Sequence, residues 1–532
     1  MAARSIRHRI PVSLRHHWKL IAGSVGLIAV LTLVVGTVRA TALVYSDANE
    51  GFVVTNDIQG TVDLFDTAVA HEISLSYSDA DFAEMREAFE DSGEKSWIKA
   101  DITIDGVTIS DVGIRLKGNS TLSALGGGTS NGEGAEGGRM PGGGEMPEGL
   151  ELPEGMEMPA DAGGMEMPGG MGGGSGSSIS FDSPEGLPWL IDFSQYVDGQ
   201  VYQGNQQISL RVESGMGGGS TLNEAVALEL IEASGEAAYD WNYATVSVNG
   251  SEGVTRRVVD IMDVTWAGEE YGADSGVLYK ALSTGTFAYQ GEDPDDYEDD
   301  FKQVTMEGSA DVQPLVDFLE WLGEADDATF DAELGDWVDI ASFANYTALQ
   351  NLLANGDDMA GPGKNYYLWY DYETGLISVV TWDVDLTLQT ADLAPDETAS
   401  IGGGMGGGGT APEQEAAGET GEAQPPGQTP GGGEMPEGME MPEGMGGGMG
   451  GNELKERFLA SEAFQDEYMA AYNELYETLF ASGAALEAVD TAQTAAELNG
   501  ADVADAAESL KAVIQQRTEF LAEELDEAST AE

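Results

Sequence analysis

The densest group of reactive side chains in this chain lies between Asn351 and Leu388, in NLLANGDDMAGPGKNYYLWYDYETGLISVVTWDVDLTL. Asp357 and Asp358 sit in a polar, Gly-rich loop, Asn365 follows Lys364 at the start of an aromatic strand, and a further strand runs out in Trp382-Asp383-Val384-Asp385. Carboxylate and amide oxygens are what a hard divalent cation such as Mg²⁺ takes, usually one or two from protein and the rest from water and substrate phosphate. A loop, a strand, a turn and a second strand in succession can bring Asp357, Asn365, Asp383 and Asp385 around one such ion. Taken alone, the same acids also fit a solvated hairpin.

Basic residues are the second signal, because they are scarce: 22 Lys+Arg stand against 95 Asp+Glu, a formal net charge of −73. Six of the 22 precede Tyr45, in a segment without any acid, which leaves sixteen for the rest of the chain. Several of these fall inside apolar, strand-like segments. Arg115 and Lys117, two apart in GIRLKGNST, share one face of a strand ahead of a turn of small and hydroxyl residues, a pair suited to phosphate oxygens. Arg211 in QISLRVES and Lys280 in GVLYKAL add two more. A cation taken out of water needs an anion, so each of the four implies either a phosphate contact or a salt bridge to one of the many acids.

Composition removes several classes of function. A body this acidic repels nucleic acid and anionic lipid, so no nucleic-acid partner is expected. The absence of cysteine excludes disulfides, thiolate metal sites and Cys nucleophiles. His8, His16 and His17 precede the first apolar run, leaving His71 alone in the body, which argues against a Ser-His-Asp hydrolase or a multi-His zinc site. The acidic run EDPDDYEDD at 292–300 lacks the alternation and Gly of an EF-hand and reads as a solvated loop.

The elements that must position these groups are legible as pattern. A basic segment, 1–19, is followed by an apolar run from Leu20 to Val38, long enough to cross the roughly 30 Å of a bilayer's hydrocarbon. It predicts a single-pass signal anchor over 20–44, with the N-terminus in the cytoplasm and the body outside. Small residues around Val38 to Ala42 leave cleavage, and hence a secreted form, as the alternative. Two stretches built of Gly, Met, Glu and Pro, 126–178 and 402–451, read as disordered insertions. They hold thirteen of the twenty methionines, but their irregular spacing favours a spacer over a copper(I)-thioether site. The insertions divide one domain into 55–125, 179–401 and 452–532. Period-two alternation predicts strands at HEISLSYS, WIKADITIDG and VTISDVGIRLKGNS, with a hairpin turn at IDG, and again at QQISLRVE, YATVSVNG, GVLYKAL, NYYLWYD and LISVVTWDVD. Helical spacing marks DADFAEMREAFEDSG, STLNEAVALELIEASG, DVQPLVDFLEWLGEA and the last 80 residues.

GIRLKGNST, VYQGNQQISL, YATVSVNGSEGV, GVLYKAL, NGDDMAGPGKNYYLWYD and WDVDLTL, in this order, resemble the successive motifs of the CotH (spore-coat protein H) kinase family. The resemblance spans about residues 60 to 125, 180 to 390 and the C-terminal helices to Arg517. It implies an α+β, divergent protein-kinase-like fold with a β-rich N-lobe and a helical C-lobe, binding ATP with Mg²⁺ or Mn²⁺ and phosphorylating Ser on coat proteins. Loop Asp, then Asn, then Asp is also the order in which a protein kinase supplies its catalytic-loop Asp and its two metal ligands. By that match Asp357 takes the catalytic role, and Asn365 and Asp383 hold the metal, with Asp385 as the second candidate. Arg115, Lys117, Arg211 and Lys280 then contact phosphate or form the ion pair that positions a phosphate-binding lysine, with Glu224 as the acidic partner. The family often has Glu where VVDIMDV offers Asp260, one methylene shorter, which puts the local ion-pair geometry in doubt. The resulting expectation is a membrane-anchored kinase acting on Ser or Thr of a surface or coat protein. The alternative is a non-catalytic surface scaffold that keeps the fold.

Overall fold

Alternation of apolar side chains is what lets the first half of the protein close on itself. In β3 (Ile98–Ile104) the residues Ile98, Ala100, Ile102 and Ile104 are buried and those between them are not. Asp105 and Gly106, at φ 47° and 82°, make the tight turn into β4 (Val107–Leu116), and positive φ at both central residues matches the twist of the flanking strands. The computed structural model describes residues 52–118, 121–125, 179–212, 222–399 and 451–531. The basic segment 1–19, the anchor over 20–44 and, apart from Gly451, the insertions 126–178 and 402–451 lie outside the described residues. Among the described residues no helix is long and apolar enough to cross a membrane.

β1 (Asn56–Ile58) pairs in parallel with β6 (Gln200–Tyr202) as a separate ribbon. β2 (Glu72–Tyr77), β3, β4, β5 (Trp189–Asp192), β7 (Gln207–Arg211), β9 (Val254–Asp260) and β8 (Trp241–Val248) form a closed barrel in that order. All its pairs are antiparallel except β2 with β8, and closure leaves no open edge. Ile73, Leu75, Ile102, Ile114, Trp189, Ile208, Val246 and Val258 belong to its core. α1 (Asp79–Ser92), capped by Ser78 and ended by Gly93 at φ 77°, packs against β3. The strands expected in this half are therefore present, while β5, β9 and closure into a seven-stranded barrel are new. A barrel and an open sheet share the same period of two, so alternation could not separate them.

Between β7 and β8 lies α2 (Asn223–Ser234), buried on nearly every side, as its mostly apolar sequence dictates. After the short α3 (Val264–Glu270) comes a second, antiparallel sheet. It is built of β10 (Gly276–Ala281), β11 (Phe301–Gln303), β12 (Tyr366–Asp371) and β13 (Ile377–Thr381), in the order β11-β10-β12-β13. Helices α4 (Gln313–Glu324), α5 (Asp327–Glu333) and α6 (Ile340–Leu352) separate β11 from β12. The chain ends in α7 (Glu453–Ala460), α8 (Gln465–Leu475), α9 (Ala484–Leu498) and α10 (Ala504–Ala531). α8 packs on α6, and α9 packs on α2. The fold class is thus α+β, with one apolar core inside the barrel and a larger one among the second sheet and the helices.

Candidate active site

The end of β4, the end of β7, the joint between β9 and α3, β10, and the loops before β12 and after β13 all meet at one cavity of about 1190 Å³. Eight of the sixteen basic residues beyond Tyr45 line it: Lys95, Arg115, Lys117, Arg211, Arg257, Lys280, Lys302 and Lys364. Seven acids face them, namely Glu224, Asp263, Asp274, Glu307, Asp357, Asp383 and Asp385. Cations and anions thus nearly balance around this cavity, inside a chain of net charge −73.

The loop leaving α6 sets Asp357. Ala354 turns the chain at φ 48°, and Asn355 ties it down: its backbone N–H and its amide both reach Gln350, whose own amide donates to Thr381 Oγ1 at the end of β13 (2.8 Å). Asp357 Oδ1 accepts from Gly363 N at 2.5 Å, and its Oδ2 accepts from Asn365 Nδ2 at 3.0 Å. Gly361 and Gly363 are required here, because a Cβ on either would overlap Asp357. Burial, with Asp383 and Asp358 adding to it against the pull of these hydrogen bonds, raises the Asp357 carboxyl to about 6. Asp358 does not share the cavity; it is buried against Lys455 of α7.

Asp383 follows β13 in a left-handed conformation, φ 56°, uncommon for a non-glycine residue and often found where function demands it. Its Oδ1 lies 2.6 Å from Arg211 Nη2 yet makes no aligned hydrogen bond. Asp385 lines the same cavity, and burial together with the Asp383 and Glu224 charges raises it to about 7. Asn365 commits its amide nitrogen to Asp357, which leaves the amide oxygen as the atom able to ligate. Two carboxylates and an amide oxygen fit Mg²⁺ or Mn²⁺ that completes its shell with phosphate and water. Among the described residues no three Asp, Glu or His side chains cluster closely enough to hold an ion by themselves.

The cations are arranged around one indole. Lys117 Nζ, Lys280 Nζ and Arg211 Cζ lie 4.9, 5.1 and 5.5 Å from the centre of the Trp382 ring. Burial, with Arg211 and Lys280 nearby, drives the Lys117 pKa well below its usual value; burial likewise lowers Lys280 to about 8 against the pull of Asp383. Neither ammonium makes a salt bridge among the described residues. Arg115 lines the cavity too, but its guanidinium lies over Trp97 at 4.9 Å. The pair Arg115 and Lys117 is therefore divided between two aromatic platforms, because the strand ends between them at Leu116 and the shared face ends with it.

Glu224, fully buried at the start of α2, pairs with Arg211, one of the four candidates for it, and with Arg257, which was not among them. Its Oε1 accepts from Arg211 Nη2 (2.8 Å) and Tyr239 Oη (2.7 Å), and its Oε2 faces Arg257. Burial opposes its charge, but the two guanidinium groups prevail and hold it at about 2. Among the described residues Asp260 makes no ion pair of the kind considered for it. Its carboxyl accepts from Ile261 N (2.7 Å) and sits among Asp263, Asp240 and Glu269, so burial and these acids raise its pKa far above the usual range. The acidic run at 292–300 wraps around buried Tyr297, and Asp300 receives Thr286 N (2.6 Å) and the Gln290 amide. Sequence reasoning missed Arg257, Tyr239 and the platform role of Trp382. The adjacent pair Arg256-Arg257 within an apolar strand was the available signal for the first.

The fold and site together define a mixed α+β protein with one cavity lined by basic side chains and by the carboxylates of Asp357, Asp383 and Asp385. Residues 176–525, about two thirds of the chain, match the model of the CotH kinase protein family, and the chain belongs to that family. The matched span begins after GIRLKGNST, although β3 and β4 are integral to the barrel it covers. No curated protein matches the chain.

Proposed function

We propose that this protein is an ATP-dependent protein phosphotransferase, with the barrel as the N-lobe and the second sheet with its helices as the C-lobe of a kinase-like fold. The observation that carries the reading is the meeting of Asp357, Asn365 and Asp383 at one cavity that also gathers Lys117, Arg211 and Lys280. Asp383 and Asn365, with Asp385 beside them, would hold Mg²⁺ or Mn²⁺. An ion held there would supply positive charge to offset that of the phosphates.

The chain's own residues supply the rest. Arg211, and Lys280 below about pH 8, present positive charge to a triphosphate, and a bound phosphate would draw Lys117, whose pKa burial lowers, toward its charged form. Asp357, at about 6, is mostly ionised at neutral pH and is fixed by two hydrogen bonds, so it can orient an acceptor hydroxyl and take up its proton. We infer that the acceptor is a Ser or Thr of a surface or coat protein. The basic and apolar N-terminal pattern supports a body held outside the membrane; protease added to intact cells should then digest it.

Purified protein incubated with radiolabelled ATP and Mg²⁺ or Mn²⁺ should transfer label, and Asp357→Ala and Asp383→Ala should each abolish transfer. Equal incorporation by all three proteins removes the site assignment. Failure to bind nucleotide with either metal removes the kinase reading and favours a scaffold.

A further inference from the structure

α10 sends one charged side chain into the protein interior: Arg517, at 0% exposure. A buried guanidinium usually meets a carboxylate. This one meets five neutral oxygens. Nε donates to Leu352 O (2.8 Å), Nη2 to Asn351 O (2.7 Å) and Asn351 Oδ1 (3.1 Å), and Nη1 to Ala391 O and Leu393 O (both 3.0 Å). All five N–H groups of the fork are thereby used.

These oxygens belong to two segments only. Asn351 and Leu352 form the last turn of α6, whose carbonyls lack helical partners and carry the negative end of the helix dipole. The loop that follows bears Asp357. Ala391 and Leu393 lie just past Asp383 and Asp385. Leu388 N donates to Leu353 O at 2.7 Å, joining the same segments, and Asn351 Nδ2 adds bonds to Ala394 O and Glu397 O, both 2.8 Å. The chain entering the Asp357 loop and the chain leaving the Asp383–Asp385 turn are thus fastened at one point, and that point is on the C-terminal helix.

We propose that Arg517 is a positioning residue for the phosphotransfer site, fixing the Asp357 loop against the segment that carries Asp383 and Asp385. The catalytic part rests on the kinase reading above; the positional part does not. Lysine replaces the fork poorly, since one ammonium has three donors on a single atom against five spread over three nitrogens, and leaves carbonyls of the junction without a donor.

The test compares Arg517→Lys with Leu521→Ala, a cavity change at another fully buried position of α10, both measured well below their melting temperatures. Arg517→Lys should speed amide exchange across 354–358 and 386–393, and should lower kcat by about tenfold or more while KM for ATP stays within about twofold, as expected when reacting groups are misplaced by a fraction of an ångström. Leu521→Ala should destabilise without either change. Asn351→Ala, which removes the side-chain half of the junction, should give the same exchange pattern as Arg517→Lys. If Arg517→Lys behaves like Leu521→Ala, or if Asn351→Ala leaves exchange in both segments unaltered, Arg517 merely docks a helix. Wild-type protein without phosphotransfer would sink the kinase reading, and the exchange data would still decide the positional claim.

Discussion

Arg211 Nη2 lies 2.6 Å from Asp383 Oδ1, and the same nitrogen donates to Glu224 at 2.8 Å. One guanidinium thus links the end of β7, the first turn of α2 and the turn after β13. Burial works against its charge, but Asp383 and Glu224 outweigh that and push its pKa above the usual range. Arg211→Ala would leave Glu224 buried with Arg257 alone, and breaking a buried pair in this way costs about 3–5 kcal/mol, measurable by urea unfolding. Arg211→Lys should cost less, because one ammonium retains the charge but not both contacts. Glu224 is held at about 2 against 4.5 for an ordinary Glu, so its contribution is complete above pH 4.5 and is lost as pH falls through 2. The difference between wild type and Arg211→Ala should shrink over that same interval.

Trp382 offers its ring to Lys117, Lys280 and Arg211 at once. Each such contact, desolvated, is worth about 1–2 kcal/mol to the placement of the cation. Trp382→Leu should therefore weaken ATP binding by about tenfold or more, whereas Trp382→Phe, with a poorer but present π-face, should lose less. Calorimetric titration of each variant with ATP checks the order. Equal affinities for the Leu and Phe variants would show that the ring acts through shape alone.

Lys280 makes anion binding pH-dependent. Burial lowers its pKa from 10.5 to about 8, so the free protein loses this positive charge as pH rises through 8. A bound phosphate favours the charged form. By linkage, affinity for metal-free ATP should fall as pH rises through 8, by up to about tenfold per pH unit, in addition to the loss that ionisation of Asp357 near 6 and Asp385 near 7 brings at lower pH. Filter binding in the presence of a chelator between pH 6.5 and 9.5 reads the slope, and Lys280→Arg should flatten it.

Local pattern revealed many of the strands and helices because burial imposes a period on them: Ile98 to Ile104 alternate, and α2 is apolar almost throughout. It did not reveal β1, β5, β6, β9 and β11, nor α3, α5 and α6, the last of which leads into the Asp357 loop. What pattern could not reveal was closure of the barrel, which depends on β2 meeting β8 across more than 160 residues of sequence. The site was legible for the same kind of reason. Scarce cations in apolar strands marked the place, and Lys117, Arg211 and Lys280 do converge, although of the three only Arg211 makes a salt bridge among the described residues. Their partners were hidden, because a cation in a strand is silent about which acid it will reach. Glu224 had four candidate partners, of which Arg211 alone pairs with it, and Arg257 was not foreseen. Arg517 was invisible for the opposite reason: its partners are backbone carbonyls, which every sequence supplies.

The two neighbouring acids of the loop show how far position in sequence underdetermines role. Asp357 faces the cavity, whereas Asp358 turns away and pairs with Lys455, both nearly buried. Gly451 N also donates to Ala360 O at 2.9 Å, so the start of α7 is seated directly on the loop. Lys455→Met should leave a buried, unpaired carboxylate and cost about 3–5 kcal/mol, and Asp358→Leu should cost a similar amount by stranding the ammonium. The double variant replaces both charges with apolar groups and should recover most of that loss, since a buried ion pair is often no more stabilising than a well-packed apolar pair. Urea unfolding of the four proteins gives the coupling energy directly. Additive losses in the double variant would mean that Asp358 and Lys455 each serve some other partner.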